Sequence, residues 1–221
     1  MKKLAILLLI ALSASLGWAE TAENAETRDI ALPVPAKSGG LPLADALAAR
    51  ATHREFSAEA LSAQTLSDLL WAANGFNRPE ARKRTAPTAI NRQEVDLYVC
   101  LADGAYLYDA AENMLRHVAD GDLRGLTGRQ GPGNFALTAP VALIYVVDFE
   151  RQAMQDRPND ALRYAAVDCG FIGQNVYLYC AANGLSTVFL GSLDPAGLSR
   201  ALGLPTTCVP LFAQTVGKPA E

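Results

Sequence analysis

The spacing of apolar positions changes along the chain, and each change marks an element. Leu43, Ala46 and Leu47 share helical spacing and predict a short helix ending near Arg50. Leu66, Leu69, Leu70 and Ala73 form one apolar face of a second helix, with Ser62 as its N-cap and Gly75 as its stop. Residues 95–101 (VDLYVCL) read as a strand, a turn at Gly104 leads into a second strand (GAYLYD), and a third follows at 114–118. A helix is expected over 122–128. Residues 141–148 (VALIYVVD) are apolar almost without a break, as in a strand covered on both faces. Asn159 or Asp160 is placed to cap a long helix running to about residue 183, with Gly184 as its stop. Its Ala165, Ala166, Gly170 and Gly173 are small enough to let a neighbouring helix approach closely. A strand at 187–190, a helix from Asp194 or Pro195 to about 202, and a last strand at 209–216 complete the pattern. Mixed strands and helices with a hairpin indicate an α+β fold.

The N-terminal segment follows a different rule. Met1-Lys2-Lys3 precedes an apolar run from Leu4 to Leu12, and small residues follow up to Gly17-Trp18-Ala19. This is the layout of a secretory signal peptide, 1–19, with cleavage after Ala19. The run is shorter than the ~20 residues a membrane-spanning helix needs. There is no twin arginine, so export by the general route, to the periplasm or beyond, is expected. Residues 20–40, rich in Ala, Glu, Pro, Ser and Gly, read as an extended lead-in, with the core starting near Leu41 and one domain filling 41–221.

Charge narrows the function. Loss of Lys2 and Lys3 with the leader takes the 19 basic residues to 17, against 23 acidic ones. An acidic mature chain lacks the basic footprint of a general nucleic-acid binder. The four cysteines are Cys100, Cys169, Cys180 and Cys208. Cys169 and Cys180 fall on one predicted helix, roughly 16 Å apart at 1.5 Å per residue, which is too far for a bond. Cys100 and Cys208 fall in strands and pair only if those strands are neighbours. Buried free thiols are the expected state. With no CxxC and only His53 and His117, a metal cluster is not expected.

Four segments carry candidate chemistry. In Arg50-Ala51-Thr52-His53-Arg54-Glu55-Phe56, two arginines and a hydroxyl alternate, so an extended chain turns them toward one anion. The planar guanidinium donates two parallel hydrogen bonds to phosphate, but such a stretch is also an ordinary solvated basic surface. Residues 84–94 (RTAPTAINRQE) are small, polar and proline-bearing, suited to close approach to a flat ring, with Asn91 and Gln93 able to meet ring edges; they also suit a plain loop. The third segment is the long helix with Asp168, Gly170, Gln174 and Asn175, running into Gly184-Leu185-Ser186-Thr187 and Leu190-Gly191-Ser192. The fourth is Val216-Gly217-Lys218-Pro219, a late cation after a strand.

Together these resemble the FMN-dependent nitroreductase family, in particular its SagB-type (thiazole/oxazole oxidase-like) branch, over roughly residues 41–219. The pieces that carry the likeness are Arg-x-Thr-x-Arg-x-Phe at 50–56, LSDLLWAANG at 66–75, RTAPTAINRQEVDLYV at 84–99, GAYLYD at 104–109, DCGFIGQNVYL at 168–178 and GLSTVFLGS at 184–192. The resemblance implies a nitroreductase-like fold: a mixed central sheet flanked by helices, with the long helix at the centre of an intertwined homodimer. It places Arg50, Thr52 and Arg54 on the FMN phosphate and ribityl chain. It places Pro87, Thr88, Ala89, Asn91 and Gln93, from the same or the partner subunit, along the isoalloxazine ring. Leu190 and Gly191 would face the ring near N5, and Lys218 would close over the phosphate. The chain departs from the pattern at Ala51, often basic or polar in relatives, and at its end, where many relatives carry a further arginine.

The chemistry so implied belongs to FMN, with no side chain required as acid or base. Tyr106 and Tyr164 are expected as buried structural tyrosines. The leading reading is an exported oxidoreductase that moves a hydride through FMN N5 to a nitro compound, quinone or similar small planar acceptor, by a ping-pong scheme. NAD(P)H is the donor by family habit, with a quinol, redox protein or exported reductant as the alternative outside the cytoplasm. The alternatives are a dehydrogenase of peptide azolines and a non-catalytic flavin-binding module.

Overall fold

The sheet grows outward from its most apolar strand. A computed structural model describes residues 28–131 and 133–220, so the predicted leader and the first part of the lead-in lie outside the described residues. In chain order the strands and helices are β1 (Ile30–Ala31), α1 (Leu43–Ala49), α2 (Ala63–Asn74), β2 (Phe76–Arg78), β3 (Lys83–Arg84), β4 (Val95–Cys100), β5 (Gly104–Asp109), β6 (Met114–Asp120), β7 (Val141–Asp148), α3 (Phe149–Gln152), α4 (Pro158–Ala182), β8 (Ser186–Leu190), α5 (Pro195–Ala201) and β9 (Cys208–Gly217). Seven strands form the main sheet in the order β1-β6-β5-β4-β7-β9-β8, and β2 pairs with β3 in a separate hairpin.

β7 is buried from Val141 to Val147 because each of its faces has a cover. Val141, Leu143, Tyr145 and Val147 pack with Leu66, Leu69 and Leu70 of α2 and Ala165, Cys169, Ile172 and Val176 of α4. Ala142, Ile144 and Val146 pack with Leu198 and Leu202 at α5. Burying a leucine-sized side chain contributes about 1.5–3 kcal/mol, so this strand anchors both layers.

The α+β class holds, and the sheet departs from the mixed strand sense expected. Every pairing is antiparallel. A strand–helix–strand crossover such as β7-α4-β8 ordinarily lays its second strand parallel beside the first. Here β9 enters between them, antiparallel to both. The bulge where Pro210 faces Val146 lets a proline, which cannot donate to the ladder, sit in that central strand.

Several details also differ from expectation. The core reaches back to Ile30 and Leu32, because β1 pairs with β6 and Pro33 O accepts from Ser67 Oγ (2.5 Å) and Asn113 Nδ2 (2.7 Å). The expected helix at 122–128 is a short 3-10 turn, Arg124–Thr127. α4 begins at Pro158 without a side-chain cap: the proline has no N–H to satisfy and its fixed φ starts the helix. Cys100 and Cys208 are both free, on strands that flank β7 from opposite sides and face its opposite ends, Ala142 and Asp148. Gly173 allows close packing, but against the Phe189 ring rather than a helix; an added Cβ would stand 2.7 Å from it. A Cβ added at Gly170 would meet nothing within 4 Å beyond its own helix. Tyr106 is buried as expected, whereas Tyr164 is 39% exposed, on the α4 face turned away from the sheet.

Candidate active site

Three of the four candidate segments meet at the β8–β9 end of the sheet. Arg50 closes α1, its N–H donating to Ala46 O (2.9 Å). The chain then runs beside β8, where His53 N–H donates to Thr187 O (3.0 Å). Phe56 is buried and bridges to Pro219, and Ser57 N–H donates to Lys218 O (3.0 Å). Phe56 shares a small cluster with Val188, Leu190 and Ala213, which fixes the 190–191 turn against the same segment. Sequence order scatters these residues over the chain; strand order gathers them.

Tyr177 on α4 organises the first segment. The Arg50 guanidinium lies over its ring, 5.4 Å from the centroid. Its hydroxyl accepts from Phe189 N–H (3.0 Å) and lies 3.0 Å from Thr52 Oγ1. One tyrosine on α4 therefore sets the position of an arginine, a hydroxyl and the middle of β8. Sequence reasoning passed over Tyr177, although it sits inside the DCGFIGQNVYL segment; an amphipathic tyrosine there reads as core.

Arg50 and Arg54 form no ion pair among the described residues. Arg54 borders an open cleft of about 570 Å³ with Phe56, Asn134, Phe135 and Thr138. Two uncommitted guanidiniums, a hydroxyl and exposed backbone at one edge suit an anion as extended as FMN. Gly191 is exposed, and a Cβ there would meet only Phe212, at 3.9 Å, so the backbone is open to close approach. Lys218 is less available than expected: its ammonium pairs with Glu59, beside a second cleft of about 450 Å³ lined by Ser62, Thr65, Tyr179 and Asn183.

The segment with Pro87, Thr88, Ala89, Asn91 and Gln93 stands apart. Ala89 N–H donates to Asp168 Oδ2 (2.9 Å), and Asp168 lies about 14 Å along α4 from Tyr177 at 1.5 Å per residue. The segment's backbone is strained: Ile90, Asn91 and Gln93 have φ of 53°, 57° and 52°. Each such residue costs on the order of 1–3 kcal/mol, and a β-branched one is a true outlier. Local bonds hold it. Gln93 N–H donates to Thr88 Oγ1 (3.0 Å), Gln93 Nε2 donates to Arg82 O (2.7 Å) and to Asn91 Oδ1 (3.2 Å), and Arg84 Nε donates to Gln93 Oε1 (2.8 Å). Asn91 and Gln93, expected to offer side chains to a ring edge, spend them on the loop itself. What the loop presents outward is Ile90, 80% exposed. Behind it, burial pushes the Glu94 carboxyl up to about 7, with Asp168 beside it acting in the same direction.

The outer side of α4 carries several exposed apolar side chains among polar ones. Leu162, Val167 and Phe171 are all exposed, as are Leu43 and Leu47 on the adjoining α1. Exposed apolar side chains grouped on two adjoining helices suit an interaction face.

Known proteins share this architecture. The pattern of the nitroreductase family matches residues 47–218. A candidate nitroreductase of Methanocaldococcus jannaschii is 28% identical over 190 residues, 82% of this chain and 93% of that protein. The crystal structure of a candidate nitroreductase from Ralstonia eutropha JMP134 superposes with a TM-score of 0.80 at 33% identity, covering 90% of this chain and 92% of the other. The NADPH:FMN oxidoreductase of Vibrio harveyi, complexed with NAD+, shares the fold with a TM-score of 0.56 at 20% identity, covering 81% of this chain and 69% of the other. With its fold, its 50–56 segment and the matched span all in agreement, the chain belongs to the nitroreductase family of flavin-dependent oxidoreductases.

Proposed function

We propose that the chain is an exported, homodimeric FMN oxidoreductase that reduces a small planar, electron-poor acceptor such as a nitro compound or a quinone. The observation that carries this reading is the pair of guanidiniums without an ion-pair partner among the described residues, Arg50 over Tyr177 beside Thr52 and Arg54 on the neighbouring cleft, both close to the open 190–191 turn. When bound, FMN supplies the redox chemistry, accepting a hydride at N5 and passing electrons on in a ping-pong cycle. Arg50, Thr52 and Arg54 bind the phosphate and ribityl chain. Leu190 and Gly191 bring main chain to the ring near N5. Lys218 reaches the phosphate by leaving Glu59. Pro87, Thr88, Ala89, Asn91 and Gln93 line the ring through their backbone, and those of a second copy complete each cleft.

Within the family, the DCGFIGQNVYL and GLSTVFLGS segments favour the SagB-type branch. The leader at 1–19 favours export, and an exported chain draws electrons from a quinol, a redox protein or another exported reductant more readily than from NAD(P)H. A peptide azoline as substrate fits an exported chain less well. The test is the purified mature protein. It should be yellow, or become so with FMN, and once reduced by dithionite it should reduce a quinone or a nitroaromatic. A colourless protein that FMN cannot reconstitute would sink the reading. Flavin binding without electron transfer would make the chain a flavin-holding module.

A further inference from the structure

Glu94 and Asp168 are 0% and 2% exposed, and few donors reach them. Asp168 Oδ2 accepts from Ala89 N–H at 2.9 Å. Glu94 Oε1 faces Gln152 Nε2 at a long 3.4 Å, and Glu94 Oε2 has no partner among the described residues. Asp168 is the carboxylate that stands beside Glu94, and two ionised carboxylates side by side in such a place would repel each other and leave an acceptor bare. A proton on Glu94 resolves both problems at once, because its O–H then donates to Asp168.

The surroundings give no competing cation to the carboxyl. From α4 come Asp168 itself and Cys169, whose thiol burial pushes up. From α3 comes Arg151, which donates to the main-chain oxygen of Glu94 (3.1 Å) and is held by Asp96 (2.8 Å) and Asp148 (3.9 Å). From the end of β7, Asp148 N–H donates to that same oxygen (2.9 Å). Gln152 and Asn74 are the neutral neighbours, Asn74 Nδ2 donating to Val95 O (3.3 Å).

We propose that Glu94 and Asp168 are a pair of positioning residues in which Glu94 holds a proton that it donates to Asp168, and that together they hold the strained 88–93 segment in place through Ala89, releasing it when the proton is lost. The chain of contact is short. Glu94 directly follows Gln93, the last left-handed residue, and Asp168 takes the only N–H that ties the segment to α4 in the described contacts. With the proton, Asp168 is fixed between two donors. Without it, two charges are forced together behind the loop, and the left-handed residues lose the anchor that offsets their cost. The consequence for flavin rests on the reading that this segment lines the ring.

Amide exchange on the apo protein, normalised to protection factors, tests the device without any flavin. Protection at Ala89 should fall about tenfold between about pH 6 and about pH 8. Glu94→Gln keeps a neutral donor and should hold protection level over that range. Asp168→Asn should lower it at every pH. FMN affinity, measured by fluorescence quenching, should weaken in parallel in the native protein and stay flat in Glu94→Gln. Flat protection in the native protein, or pH dependence persisting in Glu94→Gln, overturns the proposal. If the exchange results hold but FMN fails to bind at any pH, the positioning pair stands and the flavin reading falls.

Discussion

At the scale of single residues, the site depends on which charges are left uncommitted. Among the described residues Arg50 and Arg54 have no acidic partner, so removing either would take away the proposed phosphate contact without leaving a bare carboxylate behind. A hydrogen bond to a charged group is worth about 1.5–3 kcal/mol, so Arg50→Ala or Arg54→Ala should weaken FMN binding by about 10- to 100-fold with the thermal midpoint of the apo protein nearly unchanged. Fluorescence titration with FMN and a melting curve of the same sample check both halves. Gly173 behaves oppositely. An added Cβ would sit 2.7 Å from Phe189, whose ring is held against Tyr145 and Phe212, so Gly173→Ala should cost about 1–3 kcal/mol in denaturant unfolding. Glu94 adds a pH term. Its carboxyl is raised from 4.5 to about 7, so over that window the folded chain keeps a proton that the unfolded chain has lost. Stability should therefore fall as pH rises from about 4.5 to about 7 and level off above. Glu94→Gln should flatten that part of the profile and be the more stable protein at about pH 8.

At the scale of elements, apolar periodicity and the caps of α2 and α5 were legible in the sequence, whereas the start of α4 and what happens between elements were not. Ser62 accepts from Thr65 N–H (3.0 Å) and Asp194 from Gly197 N–H (2.9 Å), both as N-cap residues should. The α5 cap has a coupled partner: the atoms nearest a Cβ at Gly197 would all be Asp194's, the closest at 2.3 Å. Asp194→Ala should cost about 1 kcal/mol, and Gly197→Ala should cost a similar amount by displacing the carboxylate. In an Asp194→Ala background, Gly197→Ala should turn neutral or stabilising, because alanine favours the helix by up to about 1 kcal/mol. A double-mutant cycle in urea measures that coupling, and simple additivity would show the cap to be independent of the glycine. The β2–β3 hairpin, α3 and β1 escaped the sequence reading because each is too short to show a period; they are fixed by contacts such as Arg84 Nη1 to Asn74 O (2.6 Å). The strand sense escaped it because β9 is inserted between β7 and β8 from the far end of the chain. The candidate site was legible as four segments, and three of them do converge. The side chains of Asn91 and Gln93 bond within the loop and hold three left-handed residues in place, a use that nothing in their spacing announces. Tyr177 was invisible as a site residue because its contacts, Arg50, Thr52 and Phe189, come from segments far apart in sequence.

At the scale of the whole molecule, the proposed flavin cleft is left open by a single chain. Arg50, Thr52, Arg54 and the 190–191 turn lie at the β8–β9 end, whereas the 87–93 segment rests on α4 about 14 Å from Tyr177. Between them on α4 stands Phe171, 44% exposed, with Val167 (47%) and Leu162 (52%) exposed nearer the helix start, and a Cβ at Gly170 would meet nothing within 4 Å. Ile90, 80% exposed, is an apolar side chain on the strained segment. A second copy seated on α4 would cover these side chains and carry its own 87–93 segment toward the first copy's arginines. Assembly and flavin binding are then one equilibrium, since a ligand that binds only the assembled form stabilises it by mass action. Phe171→Asp places a charge on that side at a modest cost to the single chain, since Phe171 is already 44% exposed. It should give a monomer in light scattering, with unchanged far-UV dichroism and FMN affinity lowered by more than about tenfold, the share of binding lost with roughly 1.4 kcal/mol of partner contacts. Added FMN should drive the native protein, diluted to its monomer, back to dimer. A Phe171→Asp monomer that binds FMN as tightly as the native dimer would mean that each protomer completes its own cleft, with the 87–93 segment reaching the ring from within the same chain.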